Sequence, residues 1–133
     1  MITEILVIGS GISGLTFAIK IGEQNPELKL TIISKNNLLE SNTRYAQGGI
    51  AVVSNFQKDS YEKHIEDTLI AGAGKCDKEV VNFVVKEGHE RLQELIDWGT
   101  QFDKKEQGLH LTKEGGHSEN RIVHHKDSTG LEI

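Results

Sequence analysis

A single cysteine, Cys76, rules out an internal disulfide and fits a reducing compartment. No segment approaches the roughly 20 consecutive apolar residues of a membrane-spanning helix. Basic residues are outnumbered 15 to 20, for a formal net charge of −5, which argues against nucleic acid or an anionic membrane as the main partner. The start of the chain has no basic segment ahead of an apolar one, so no secretory signal is expected and a soluble cytoplasmic protein is the default reading. There is no internal repeat and no low-complexity tract. Proline occurs once, at Pro26, whereas glycine occurs 14 times in 133 residues. Glycine without proline points to tight turns and close backbone approach to a ligand, not to a disordered linker.

The first such place is near the N-terminus. Glu4–Ile8 (EILVI) is a nearly continuous apolar run, the signature of a buried parallel strand. Gly9–Gly14 (GSGISG) follows at once. Ile12, Leu15 and Ile19 then recur at helical spacing, with Phe17, Ala18 and Ile21 widening the apolar face, and the helix should end near Gln24, ahead of Pro26. Leu28–Ser34 (LKLTIIS) reads as a second strand. Strand, helix and strand make one βαβ unit over residues 1–35, with a right-handed crossover.

Gly9, Gly11 and Gly14 fit G-x-G-x-x-G in its required context, after a strand and opening a helix. Gly9 allows the tight turn, Gly11 lets a pyrophosphate approach the backbone, and Gly14 lets the helix pack closely on the strand. The free N–H groups of the helix start then face the phosphates. At the end of the second strand, where a ribose-binding carboxylate is usual, stand Ser34 and Lys35. Ser34 can still hydrogen-bond a ribose. Lys35 either meets the phosphate or adenosine side or is a solvated surface lysine.

Residues 36–133 read as a following segment of helices, short strands and loops. Asn42–Gly49 (NTRYAQGG) carries a glycine pair, Gly48-Gly49. Asp59 or Ser60 caps a helix to about Ala71, ended by Gly72 and Gly74. Asp77 caps another, with Val80, Val81, Val84 and Val85 inward, and a helical stretch with Leu92, Leu95, Ile96 and Trp98 stops at Gly99. Phe102–Leu111 reads as two short strands around a turn at Gln107-Gly108. Thr112–Ser118 (TKEGGHS) is a polar glycine loop, and Arg121–His124 another short strand. In that strand His124 and His125 would point to opposite faces, and no histidine or Cys76 has metal-ligand spacing, so no metal site is expected. Asp127–Ile133 begins a helix. With two strong strands and a helix only begun, the fold class expected is α/β: an incomplete, N-terminal part of a Rossmann-like nucleotide-binding domain, within a longer protein.

The Gly9–Gly14 loop, Ser34-Lys35, Asn42–Gly49, the stretch HIEDTLIAGAG, the loop Glu114-Gly115-Gly116-His117 and the closing Asp127–Ile133 stretch occur in one order across the whole chain. Together they resemble the succinate dehydrogenase/fumarate reductase flavoprotein family, in its L-aspartate-oxidising branch. The resemblance implies an FAD-binding domain whose capping domain lies outside this chain. Gly9, Ser10, Gly11, Ile12, Ser13 and Gly14 would line the pyrophosphate, and Ser34 and Lys35 the adenosine side. Asn42, Thr43, Arg44, Tyr45, Ala46, Gln47, Gly48 and Gly49 would run along the flavin. A flat ring needs the absence of side chains that Gly48-Gly49 provides. The dehydrogenase branch carries its flavin on a histidine where Asn42 stands, so FAD here would be non-covalent. Glu114 would recognise the substrate ammonium, a group succinate lacks. His117 is either a second substrate-side residue or a loop histidine satisfied by backbone.

The implied reaction is oxidation of L-aspartate to iminoaspartate, with oxygen or fumarate as acceptor and hand-off to quinolinate synthase in NAD biosynthesis. A fumarate reductase-like or succinate dehydrogenase-like flavoprotein is the nearest alternative, and a non-catalytic nucleotide-binding fragment the other. The family's proton-moving arginine lies further along than Ile133, so no catalytic residue is assigned and residues 1–133 alone are expected to lack oxidase activity.

Overall fold

A computed structural model describes residues 2–106 and 108–133. It opens on β1 (Ile5–Ile8), α1 (Ile12–Gln24) and β2 (Leu30–Ile33). The strands pair in parallel, Ile5 opposite Leu30 through Ile8 opposite Ile33, as the expected βαβ unit requires. The burial differs from expectation. Of β1 only Val7 is buried, while Leu6 is 50% and Ile8 80% exposed, and α1 has no buried residue. A two-stranded sheet under one helix covers too little of either face among the described residues to bury a continuous apolar run.

The tightest packing lies elsewhere. β3 (Ile50–Ala51), β6 (Leu111–Thr112) and β7 (Ile122–Val123) form an antiparallel sheet in the order β3-β7-β6. Against it lies α3 (Lys78–Asp97), and Val52, Leu92, Phe102 and Val123 form the buried cluster between them. The two helical stretches foreseen after Asp77 are one continuous helix. Asp77 does cap it, its carboxylate accepting from the amides of Glu79 and Val80 at 2.9 and 3.2 Å. Its inward face carries Val85 and Leu92, one heptad apart. Val80 and Val84, expected inward, are 55% and 57% exposed, because the helix turns that side away from the sheet.

α2 (Tyr61–Ala71) packs on α3. Of its two possible caps, Ser60 takes the role and accepts from the Lys63 amide at 3.2 Å. β4 (Lys104–Lys105) and β5 (Gly108–Leu109) pair as the foreseen hairpin. The turn expected at Gln107-Gly108 falls partly outside the described residues. α4 (Thr129–Glu132) closes the chain and has no side-chain cap. No helix among the described residues is long and apolar enough to cross a membrane.

Candidate functional site

The glycine loop behaves as its spacing demands. Gly9 has φ +108°, a conformation that side chains rarely adopt, and its amide donates to the Ile33 carbonyl at 2.8 Å. A Cβ on Gly14 would collide with the Gly9 carbonyl oxygen and come within 3.2 Å of Val7 Cγ1, so helix and strand meet only because it is missing. Gly11 caps α1 without a side chain, and the first turn holds no acidic residue. Within that turn no carboxylate competes with an anion for the helix start. The Ser10 hydroxyl is buried there with no partner among the described residues. An orphaned hydroxyl beside a helix start whose own cap residue brings no side chain fits a phosphate-bearing nucleotide.

Thr43 brings the second expected segment to this place. Its Oγ1 accepts from the Ile12 amide at 3.0 Å. The buried pair Thr129-Gly130 of α4 holds the other side: the Gly130 amide donates to Ala46 O at 2.9 Å, and a Cβ on Gly130 would collide with Thr43 O. A cavity of about 190 Å³ lies here, lined by Ser10, Ile12, Thr43 and Arg44 on one side and Trp98 and Leu131 on the other. Farther along the segment, Gln47, Gly48 and Gly49 line a second cavity of about 260 Å³ with Thr112, Glu114 and His124. Asn42–Gly49 thus runs from the helix start to the Glu114 loop.

The two glycines of the pair differ. A Cβ on Gly49 would strike the Val123 carbonyl, whereas around Gly48 there is open space. Gly49 serves the approach of β3 to β7, and Gly48 is the one open to a ligand. Asn42 is exposed, and Tyr45 donates its hydroxyl to the Glu40 carboxylate at 2.7 Å. Ser34 donates to the Asn36 carbonyl at 2.5 Å, and Lys35 is exposed beside it.

Glu114 and His117 part company. Glu114 begins a turn closed by the His117 amide on the Glu114 carbonyl at 3.3 Å, with Gly116 at φ +88°, as a type II turn needs. Glu114 lines the second cavity, whereas the His117 ring lies against His64 and Arg121.

Arg121 is the residue sequence reasoning missed. It is completely buried. Its Nε and Nη2 donate to the two Asp59 oxygens, both at 2.8 Å, and Nη1 donates to Asp67 Oδ2 at 2.5 Å. Burial by itself would raise both carboxyls. Hydrogen bonds from Arg121, the Ser60 amide and the Ser118 amide and hydroxyl, with the Arg121 charge, outweigh it, so Asp59 lies below its usual value and Asp67 at about 2. Burial, then the Arg121 charge, also lowers His64.

All three groups have folded values below their unfolded ones, so their stabilisation is complete above the unfolded values and is lost on acidification. Thermal melting of the full-length flavoprotein should fall below about pH 6.5 as His64 resists protonation, and again between about pH 4 and 2. Asp67 accounts for about 1–2 kcal/mol of the second fall after solvent screening. His64→Gln should flatten the first fall and Asp67→Asn the second; unchanged profiles would refute the assignment.

His124 and His125 do not face opposite ways. Both follow β7, and both approach Asp103, at 3.3 and 3.9 Å. Among the described residues no three His, Cys, Asp or Glu side chains converge as metal ligands would.

The FAD binding domain family model matches residues 4–132. The L-aspartate oxidase of Yersinia pestis is 47% identical over 99% of this chain and 25% of its own length. The chloroplastic L-aspartate oxidase of Oryza sativa subsp. japonica is 50% identical over 98% of the chain and 20% of its own. The chain thus spans a quarter or less of the length of these curated relatives. Among solved structures, E. coli quinol fumarate reductase superposes with a TM-score of 0.89 at 30% identity, covering 98% of this chain and 22% of that one. A Mycobacterium smegmatis Sdh1 complex does so with a TM-score of 0.86 at 30% identity, over 96% and 22%.

Proposed function

The chain belongs to the FAD binding domain family, with FAD as its cofactor, and from that premise we propose that it is the cofactor-gripping part of an L-aspartate oxidase. The full protein oxidises L-aspartate to iminoaspartate with oxygen or fumarate as acceptor. The product passes to a quinolinate synthase in NAD biosynthesis, and the cytoplasm is the proposed location. Residues 1–35 form the dinucleotide-binding βαβ unit and residues 36–133 the flavin-contacting segment and substrate-side loop.

The observation that carries the reading is the cavity shared by Gln47, Gly48 and Glu114. It sets a carboxylate beside the open glycine where a flat ring system can lie. In this reading Gly9–Gly14 hold the pyrophosphate, with the Ser10 hydroxyl and the amides of Ser13 and Gly14 as donors. Ser34 and Lys35 flank the adenosine, and Asn42–Gly49 follow the flavin. No covalent bond to Asn42 is proposed. FAD, when bound, supplies the two-electron acceptance that the side chains lack. Glu114 binds the α-ammonium of the amino acid, a charge-assisted contact unavailable to succinate or fumarate. His117 sits one turn away, on the Arg121 side.

The test is Glu114→Gln in the full-length, FAD-loaded protein. The kcat/KM for L-aspartate should fall about 10–100-fold, the weight of one charged hydrogen bond, mainly through KM and with flavin content unchanged. A wild-type protein that turns over succinate but not L-aspartate would favour a succinate dehydrogenase-like enzyme instead. One with neither activity would point to a nucleotide-binding module without catalysis.

A further inference from the structure

The loop that carries Glu114 is held from both ends. On the near side, Thr112 pairs with Ile122 across β6 and β7, and the Arg121 amide donates to Thr112 O at 3.0 Å. On the far side, Asp67 Oδ2 accepts from the Ser118 amide at 2.7 Å and the Ser118 hydroxyl at 2.8 Å. The same carboxylate oxygen takes Nη1 of Arg121, while Nη2 reaches the Ser118 hydroxyl at 3.3 Å. Nη1 also lies 3.2 Å from His117 Nδ1. A guanidinium can only donate, so in this contact Nδ1 is the acceptor. Asp59 orients the guanidinium from behind through two parallel bonds, a rigid fork.

The Glu114 side chain is itself exposed, and its backbone makes the turn to His117. Its position is thus set by what holds the residues on either side. We propose that Arg121, with Asp67, is a positioning residue for substrate recognition: it anchors His117 and Ser118 and thereby fixes Glu114 at the cavity beside Gly48. This rests on the reading of Glu114 as the ammonium-binding residue. The expense of the arrangement supports it. A fully buried arginine with two carboxylates is a poor way to gain stability, since apolar residues of like volume do as well or better. What such a triad adds is a fixed geometry for whatever it binds, and here it binds the Glu114 loop.

The experiment uses the full-length, FAD-loaded protein and two variants that leave the Arg121–Asp59 pair intact. Asp67→Ala removes the anchor, and Asp67→Asn keeps its shape and one acceptor. Two reactions are followed: L-aspartate oxidation, and fumarate reduction by the reduced flavin, whose substrate has no ammonium. With Asp67→Ala, KM for L-aspartate should rise about tenfold while kcat and the fumarate reaction each change less than about twofold, the size expected for one weakened charged contact. Asp67→Asn should recover most of the loss. Equal change in both reactions, or a lower melting temperature with KM unaltered, overturns the proposal and leaves the network a fold-stabilising device.

Hydrogen–deuterium exchange separates this outcome from a failure of the functional reading. The amides of residues 113–120 should exchange faster in Asp67→Ala whatever the substrate is. If they do not, the anchor is wrong. If they do, and the wild-type protein does not oxidise L-aspartate, the anchor stands as a loop clamp and the substrate assignment falls.

Discussion

Gly14→Ala should leave the full-length protein nearly without flavin. The atom in the way is the backbone carbonyl of Gly9, with Val7 behind it, and no rotamer change relieves a backbone collision. Alanine would otherwise favour the helix, by about 1 kcal/mol, so propensity predicts the opposite sign and sterics must win for the prediction to hold. To admit the methyl group, the N-terminal turn of α1 must lift off β1. Overpacking of this kind costs about 1–3 kcal/mol. In the proposed reading the displaced turn is the one whose amides face the phosphates, so apparent FAD affinity should weaken about 10–100-fold. The ratio of flavin to protein absorbance after dialysis reads this directly. Gly48→Ala and Gly49→Ala serve as a matched pair. The first meets open space and should affect FAD affinity alone, while the second should disturb the approach of β3 to β7 even without cofactor. Stoichiometric flavin in Gly14→Ala would show that the helix start does not grip the pyrophosphate.

Arg121→Met should destabilise the full-length protein by about 3–5 kcal/mol, the cost of stranding buried charge by removing one partner. Methionine keeps much of the apolar stem but leaves Asp59 and Asp67 without their cation, and Asp59 is itself buried. The urea midpoint should drop with little change in slope. Adding Asp59→Asn and Asp67→Asn should recover part of the loss, because neutral amides carry a smaller desolvation penalty. A single variant within about 1 kcal/mol of wild type would mean that the carboxylates are better hydrated than their burial indicates.

What the sequence determined was local. Within residues 2–35 the strand pairing and the glycine turn join neighbouring elements, and the turn is imposed by Gly9 at a positive φ and by Gly14 where a Cβ has no room. The helix caps at Ser60 and Asp77 were legible for the same reason: a cap needs only residues two or three apart. The tertiary structure decided the rest. Strands of two residues, such as β3 and β7, are too short to show an alternating pattern, so the sheet that anchors the core was invisible as a sheet. The direction of the inner face of α3 follows from that sheet, which is why Val80 and Val84 turn outward and Val85 inward. Arg121 meets Asp59 and Asp67 across 62 and 54 residues of chain. Nothing in the spacing of three common charged residues distinguishes a buried ion triad from a solvated surface, because only folding removes the water that makes the difference.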